Sequence, residues 1–377
     1  MPSQHPCVTN SFIRHRLNSH AACLRPAGRV YLPRSAAVAH KNRYYDASKA
    51  HHTPEGFRNP QQAHTRGEGD FRRWQEERKQ QGLPKPPKQG YARFIADWWQ
   101  QPDFSGSEDA AWWLGHACVL FRVQGRYILT DPALSERASP LSFYGPRRKT
   151  PVAAEIDQLP PIDVVLLSHN HYDHLDKQTV KKLLKRFPDV TFLVPLGLKN
   201  WLTRRGARQV EELDWWDVQH HSGLDFHCVP AQHWSMRTLW DRNRSLWCGW
   251  VMTHPTLRLY FSGDSGYTPL LHQIGERLGP FDLAALPIGA YAPRWFMGPQ
   301  HMDPQQSAQL FKQLNCRRAI PIHWGVFELA DESLDEPPGI LQQAISAENI
   351  SAQAFCALKI GGRINLSVPA TSQGPSK

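Results

Sequence analysis

The 377-residue sequence predicts a layered α/β fold with mixed sheets, on three observations. An apolar hairpin opens the pattern shortly after Ala110, short apolar runs then alternate with helix-spaced segments, and the composition supports a sizeable core, with 41% apolar residues and 14 Trp. Taken in order, 118–123 reads as a strand, Gln124-Gly125 as a tight turn and 127–129 as the return strand. The run 162–167 is apolar throughout, hence a strand buried on both faces, and it stops at Ser168. Residues 177–187 place Val180, Leu183, Leu184 and Phe187 at helical spacing, and 191–194 is the next strand. Strands at 226–230, 257–262, 283–286 and 319–322 follow, with helices at 269–277 and 304–314. Asp303-Pro304 is a helix start, an N-cap carboxylate followed by proline at the first helical position.

Charge divides the chain. The formal net charge is +10, yet residues 1–45 hold seven basic residues and no acidic one, and 46–88 hold nine basic and six acidic. The remaining 28 Lys and Arg balance 28 Asp and Glu over 89–377, so the body is neutral and a nucleic-acid-binding surface is not expected on it. No apolar run reaches 18 residues, so no helix spans a bilayer, and no signal peptide is legible. The seven Cys form no C-x-x-C pair, which points to reduced thiols rather than a disulfide framework or a thiolate metal site. The first 45 residues fit a tail, a start-site artefact or an Arg-rich targeting segment. Residues 46–88 read as an irregular arm with one short helix near 71–80. The expected organisation is a basic extension over 1–88, a catalytic domain over 89–368 and a disordered tail over 369–377. A cytoplasmic or peripheral-membrane location follows, and a homodimer stays open.

Directly after the buried strand stands His169-Asn170-His171-Tyr172-Asp173-His174. Four donors in six residues cannot share one helix face. On a tight loop at a strand end they converge, His169 and His171 on one side and Asp173 and His174 on the other. Imidazole and carboxylate donors without thiolate suit Zn²⁺, with Fe or Mn as alternatives. His233, Asp264 and His323 each follow an apolar strand and complete a set large enough for two ions. Asp264 has Gly263 and Gly266 close by, which permits close backbone approach.

The H-x-H-x-D-H hexapeptide with its ordered partners resembles the metallo-β-lactamase superfamily, which implies an αββα four-layer sandwich. Further segments narrow the resemblance: Trp113-Leu114-Gly115-His116-Ala117, Leu129-Thr130-Asp131-Pro132, Pro287-Ile288-Gly289-Ala290-Tyr291, Pro293-Arg294-Trp295-Phe296-Met297 and Ile322-His323-Trp324-Gly325. Over about 110–330 the chain is similar to the N-acylphosphatidylethanolamine-hydrolysing phospholipase D family. The resemblance implies one zinc on His169, His171 and His233, a second on Asp173, His174 and His323, and Asp264 bridging both. It implies hydrolysis of N-acylphosphatidylethanolamine at a membrane surface to N-acylethanolamine and phosphatidic acid. A metal-bridged water, its pKa lowered to about 7, would supply the hydroxide. Asp173 and Asp264 are then the catalytic carboxylates, Asp173 also handling a proton for the alkoxide leaving group. By position Tyr172 and His301 would contact substrate, and His116 and Asp131 would orient the ligands. A lactone or cyclic phosphodiester is the alternative substrate. Six Trp crowd 215–250 among Arg237, Arg242 and Arg244, a composition suited to core packing and to anionic headgroups.

Overall fold

A computed structural model describes residues 41–61 and 67–366. The 369–377 tail and nearly all of the acid-free N-terminal segment lie outside these. The described chain opens with β1 (His52–Thr53), β2 (Gly56–Phe57), α1 (Asp70–Gln81) and α2 (Gly90–Trp98). The first half of the body holds β3 (Ala110–Gly115), β4 (Cys118–Val123), β5 (Arg126–Thr130), β6 (Val164–Leu166), α3 (Lys177–Arg186), β7 (Thr191–Pro195), α4 (Lys199–Thr203) and β8 (Gln209–Leu213). The second half holds β9 (Val218–His221), β10 (Leu224–Val229), β11 (Gly249–His254), β12 (Leu257–Phe261), α5 (Leu270–Leu278), β13 (Leu283–Pro287), α6 (Arg294–Met297), α7 (Pro304–Gln313) and β14 (Ala319–Ile322). Helix α8 (Glu336–Ala347) and β15 (Arg363–Asn365) close it.

Two mixed sheets result, ordered β15-β3-β4-β5-β6-β7-β8 and β14-β13-β12-β11-β10-β9. In each, one part is antiparallel, with β3-β4-β5, β9-β10 and β11-β12 joined by tight turns, and the other part parallel. Parallel neighbours need crossovers, and α3, α4, α5 and α7 supply them. Those helices cover the sheets, as in the expected four-layer αββα sandwich, and a continuous apolar core includes Trp112, Trp113, Trp247 and Trp250. Helix α7 starts as the sequence indicates: the Asp303 carboxylate accepts from Gln306 N at 2.8 Å and Pro304 follows it.

Every strand and helix read from the sequence is present, within a few residues at the ends. Strands β1, β2, β3, β8, β9, β11 and β15 and helices α2, α4, α6 and α8 went unread. Five of the six Trp of 215–250 are buried or half-buried, while Trp240 is 79% exposed.

One expectation is corrected. The arm is not an extension outside the body, because the compact unit begins at Lys41. The Asp214 carboxylate, 4% exposed, gathers Lys49 Nζ at 2.5 Å, His51 Nε2 at 2.7 Å and His52 Nε2 at 2.9 Å. Burial acts to raise the Asp214 carboxyl, yet its bonds to His51 and Lys49 hold it well below the carboxylate range. The His51 ring also stacks on Trp215, 4.2 Å between centroids. On α1, Trp74 stacks on Phe296 at 4.8 Å and its indole donates to Asp331. The arm is held by side-chain contacts to distant residues, which leave no periodic trace in its own sequence.

Candidate metal centre

The carboxyl ends of the strands meet at one edge of the sandwich. From the first sheet, β5 delivers Asp131 and β6 delivers the hexapeptide; from the second, β10 leads to His233, β12 to Asp264 and β14 to His323. The β3–β4 turn adds His116. His116, Asp131 and His323 have φ of 54°, 33° and 64°, left-handed values uncommon for such residues, so the fold holds strained backbone where the donors gather. Gly263, at φ 58°, lies so close to the hexapeptide that a Cβ there would sit 2.5 Å from the Ser168 side chain. At Gly266 a Cβ would meet Pro299 O at 2.4 Å.

Two donor groups face each other. His169 Nε2 lies 2.8 Å from His171 Nδ1, which lies 3.1 Å from His233 Nε2. In the second group, His174 Nε2 and His323 Nε2 lie 3.3 Å and 3.4 Å from Asp173 Oδ2. Asp264 stands between. Its Oδ2 is 3.0 Å from His323 Nε2, 3.1 Å from His174 Nε2, 3.7 Å from His233 Nε2 and 4.0 Å from His169 Nε2.

Surrounding bonds fix the donors. Asp131 Oδ2 accepts from His174 Nδ1 at 2.7 Å and from Ser168 Oγ, and that hydroxyl is 2.9 Å from His169 Nδ1. One buried carboxylate therefore orients two imidazoles, one of them through a serine. His233 Nδ1 lies 3.1 Å from Gln300 O. His116 was expected to steady an imidazole; it instead bonds the Asp173 carboxylate at 2.9 Å and packs on the His323 ring at 4.2 Å.

Burial pushes His169 and His171 well below the usual imidazole range, His233 down to about 4 and His116 to about 3. Burial acts in the same sense on His174 and His323, but Asp264 and its neighbouring carboxylates outweigh it. His323 is lifted to about 9 and His174 well above its usual value. For Asp173 and Asp264 burial opposes ionisation, and His174 nonetheless holds both well below the carboxylate range. The first group is thus neutral nitrogen facing neutral nitrogen, and the second is charge-paired.

This donor set fits a metal. Buried His174 Nε2, His323 Nε2 and Asp264 Oδ1 have no hydrogen-bonding partner although other donors converge on them. A cation would satisfy these atoms and would displace protons from His174 and His323. No Cys belongs to either group among the described residues, and the described Cys are free.

A cleft of about 730 Å³ opens over His171, Asp173, Asp264, His301 and His323. Its wall is mostly apolar, with Phe71, Trp74, Trp234, Met236, Phe296 and Leu329, and Arg242 supplies a positive charge. His301 lies at the centre, its Nδ1 3.9 Å from Asp264 Oδ2. Tyr172 does not line this cleft. Its hydroxyl donates to Arg237 O at 2.7 Å, and it lines a second cavity on the other side of the loop.

Several contributors escaped sequence reading. Asn59 Nδ2 donates to His233 O at 2.8 Å, and its Oδ1 accepts from His233 N at 3.2 Å and from the Trp247 indole at 3.0 Å. The indoles of Trp247 and Trp250 donate to Ala231 O and Leu167 O, at the strand ends that precede His233 and His169. Arg237 Nη1 donates to Asn170 O and Leu175 O, 2.7 Å each, bracketing the hexapeptide. The crowded Trp and Arg of 215–250 were the available signal. Nothing in the arm's sequence singled out Asn59.

Residues 126–324 match the family model described as "Beta-lactamase superfamily domain". The chain is 40% identical over 263 residues to a Caenorhabditis elegans protein named N-acyl-phosphatidylethanolamine-hydrolyzing phospholipase D 1, covering 67% of this chain and 74% of that one. A Saccharomyces cerevisiae mitochondrial protein of the same name is 35% identical over 251 residues, covering 65% of this chain and 53% of its own length. Among solved structures, a metallo hydrolase from Ignicoccus hospitalis superposes with a TM-score of 0.54 at 19% identity, covering 70% of this chain and 100% of that one.

Proposed function

Because the chain belongs to the N-acylphosphatidylethanolamine-hydrolysing phospholipase D family of the metallo-β-lactamase superfamily, we propose that this metal-dependent hydrolase cleaves N-acylphosphatidylethanolamine to N-acylethanolamine and phosphatidic acid. The observation that carries the reading is the position of Asp264 Oδ2, 4.0 Å or less from imidazole nitrogens of both donor groups and beside a long apolar cleft. A carboxylate so placed serves two ions at once.

In this reading His169, His171 and His233 hold one ion, Asp173, His174 and His323 the other, and Asp264 belongs to both. Two zinc ions, once bound, would supply Lewis acidity to the phosphate oxygens and an acidified water as nucleophile. The chain's own residues do the rest. Phe71, Trp74, Phe296 and Met236 receive acyl chains and exclude water from the reacting end of the cleft. Arg242 faces the phosphodiester charge from the wall. His301, near Asp264 and open to the cleft, is placed to hold the headgroup side of the scissile bond. Asp173, bonded to His116 and half-way between His174 and His323, is the carboxylate that would take the proton given up by the attacking water and pass it to the leaving alkoxide.

The test is mass spectrometry of N-acylphosphatidylethanolamine incubated with the metal-loaded protein. Stoichiometric N-acylethanolamine and phosphatidic acid are expected, and a chelator should abolish them. Turnover of lactones or cyclic phosphodiesters with the phospholipid left intact would overturn the reading.

A further inference from the structure

The second cavity, about 450 Å³, lies behind the hexapeptide and is lined by Asn170, Tyr172, Lys177, Arg205, Arg237 and Arg244 among others. The loop alternates: His171 and Asp173 face the cleft, while Asn170 and Tyr172 face this cavity. Four cationic side chains line it against one carboxylate, Asp241, whose Oδ1 is occupied by the N–H groups of Arg237 and Thr238 at 2.9 Å and 2.8 Å. The Arg205 guanidinium lies 3.6 Å over the Trp201 ring, and its buried Nε has no hydrogen-bonding partner.

Two loops contribute walls to this cavity, and both carry exposed apolar tips. The first provides Ser139 and Pro140 and then exposes Leu141, Phe143 (77%) and Tyr144 (73%). Its stem is closed by the bonds Ala138 N to Pro146 O and Arg148 N to Glu136 O. The second provides Thr238 and Asp241 and between them exposes Leu239 (84%) and Trp240 (79%). This same loop carries Trp234, Met236 and Arg242 into the catalytic cleft. Large apolar side chains held out in water beside a basic hollow have one complementary partner, an anionic bilayer, which takes the tips into its interface and a phosphate into the hollow.

We propose that Leu141, Phe143, Tyr144, Leu239 and Trp240 form the membrane-docking surface of this protein, and that the cavity behind Tyr172 takes the phosphate of an anionic phospholipid. This goes beyond the catalytic reading and rests on it only in that a lipid substrate makes docking useful. Since the 234–242 segment is a wall of both cavities, docking sets the cleft mouth against the lipid surface.

The test is sedimentation of the full-length protein with phosphatidylcholine vesicles, with and without phosphatidic acid. Wild type should bind the anionic vesicles more tightly. The Leu239→Ser/Trp240→Ser variant should lose at least tenfold in affinity for both kinds. The Lys177→Gln/Arg244→Gln variant should bind phosphatidylcholine as wild type does but lose about 25-fold on anionic vesicles, at about fivefold per cation near the surface. All three should melt alike and hydrolyse a short-chain soluble diester at equal rates, so failure of the catalytic reading is told apart from failure of docking. Inorganic phosphate at millimolar concentration should not displace the protein. Vesicle binding unchanged in both variants would overturn the proposal. So would a wild-type dimer that the Ser variant abolishes, since the tips would then cover a second copy.

Discussion

At the scale of single residues, Asp264 and Asn59 act on the same donors in opposite ways, one by charge and one by position. Asp264→Asn keeps the shape and removes the shared anion, leaving His174 and His323 without the carboxylate that pairs them. Activity should fall by at least 10³-fold, and elemental analysis should find fewer than two metals per chain. Asn59 acts through the backbone, bonding both the N–H and the C=O of His233. Asn59→Ala should cost about 2 kcal/mol in thermal unfolding and weaken metal retention, while leaving the pH profile of the loaded enzyme unchanged. The donors themselves were legible because imidazoles and carboxylates stand out at strand ends. Asn59 was not, since its partner lies 174 positions away and a single amide carries no pattern.

Among the elements, most parallel strands were readable because burial on both faces makes them continuous apolar runs, whereas the parallel strand β8, half-exposed and carrying Gln209, Glu211 and Glu212, was not. The arm was not. Its order comes from Asp214 and from Trp74 against Phe296, contacts that exist only after folding. Asp214 supplies a pH signature. Its folded-state pKa is depressed, so its contribution to docking the arm is complete above the ordinary carboxylate pKa near 4 and fades as pH falls below that. Limited proteolysis should therefore find 41–60 protected at pH 6 and cleavable near pH 3. Asp214→Asn should expose the same segment at pH 6. The connection between β12 and α5 is under a different constraint: Gly263→Ala would drive a Cβ into Ser168 at a positive φ. A loss of about 2–4 kcal/mol is expected in denaturant unfolding, with metal lost in parallel.

For the molecule as a whole, the charge asymmetry takes on a different meaning once the arm is placed. The compact body begins at Lys41 and so carries half of the net +10, with 39 basic against 34 acidic residues over 41–377, and Gly67–Gly69, Phe71 and Trp74 wall the cleft. Removing 1–88 should therefore abolish turnover, although the sequence reading places that stretch outside the catalytic domain. Removing 1–40 should preserve hydrolysis of a soluble diester. Steady-state assays of the two truncations separate these outcomes. Among the described residues no helix is long and apolar enough to cross a membrane.

The spread of the donors along the chain has a consequence for biosynthesis. The His169, His171 and His233 group is complete once residue 233 has left the ribosome, whereas the opposing group waits a further 90 positions for His323. At ordinary elongation rates that interval is about 5–20 s. The two groups of donors therefore become available to a metal in an order set by translation.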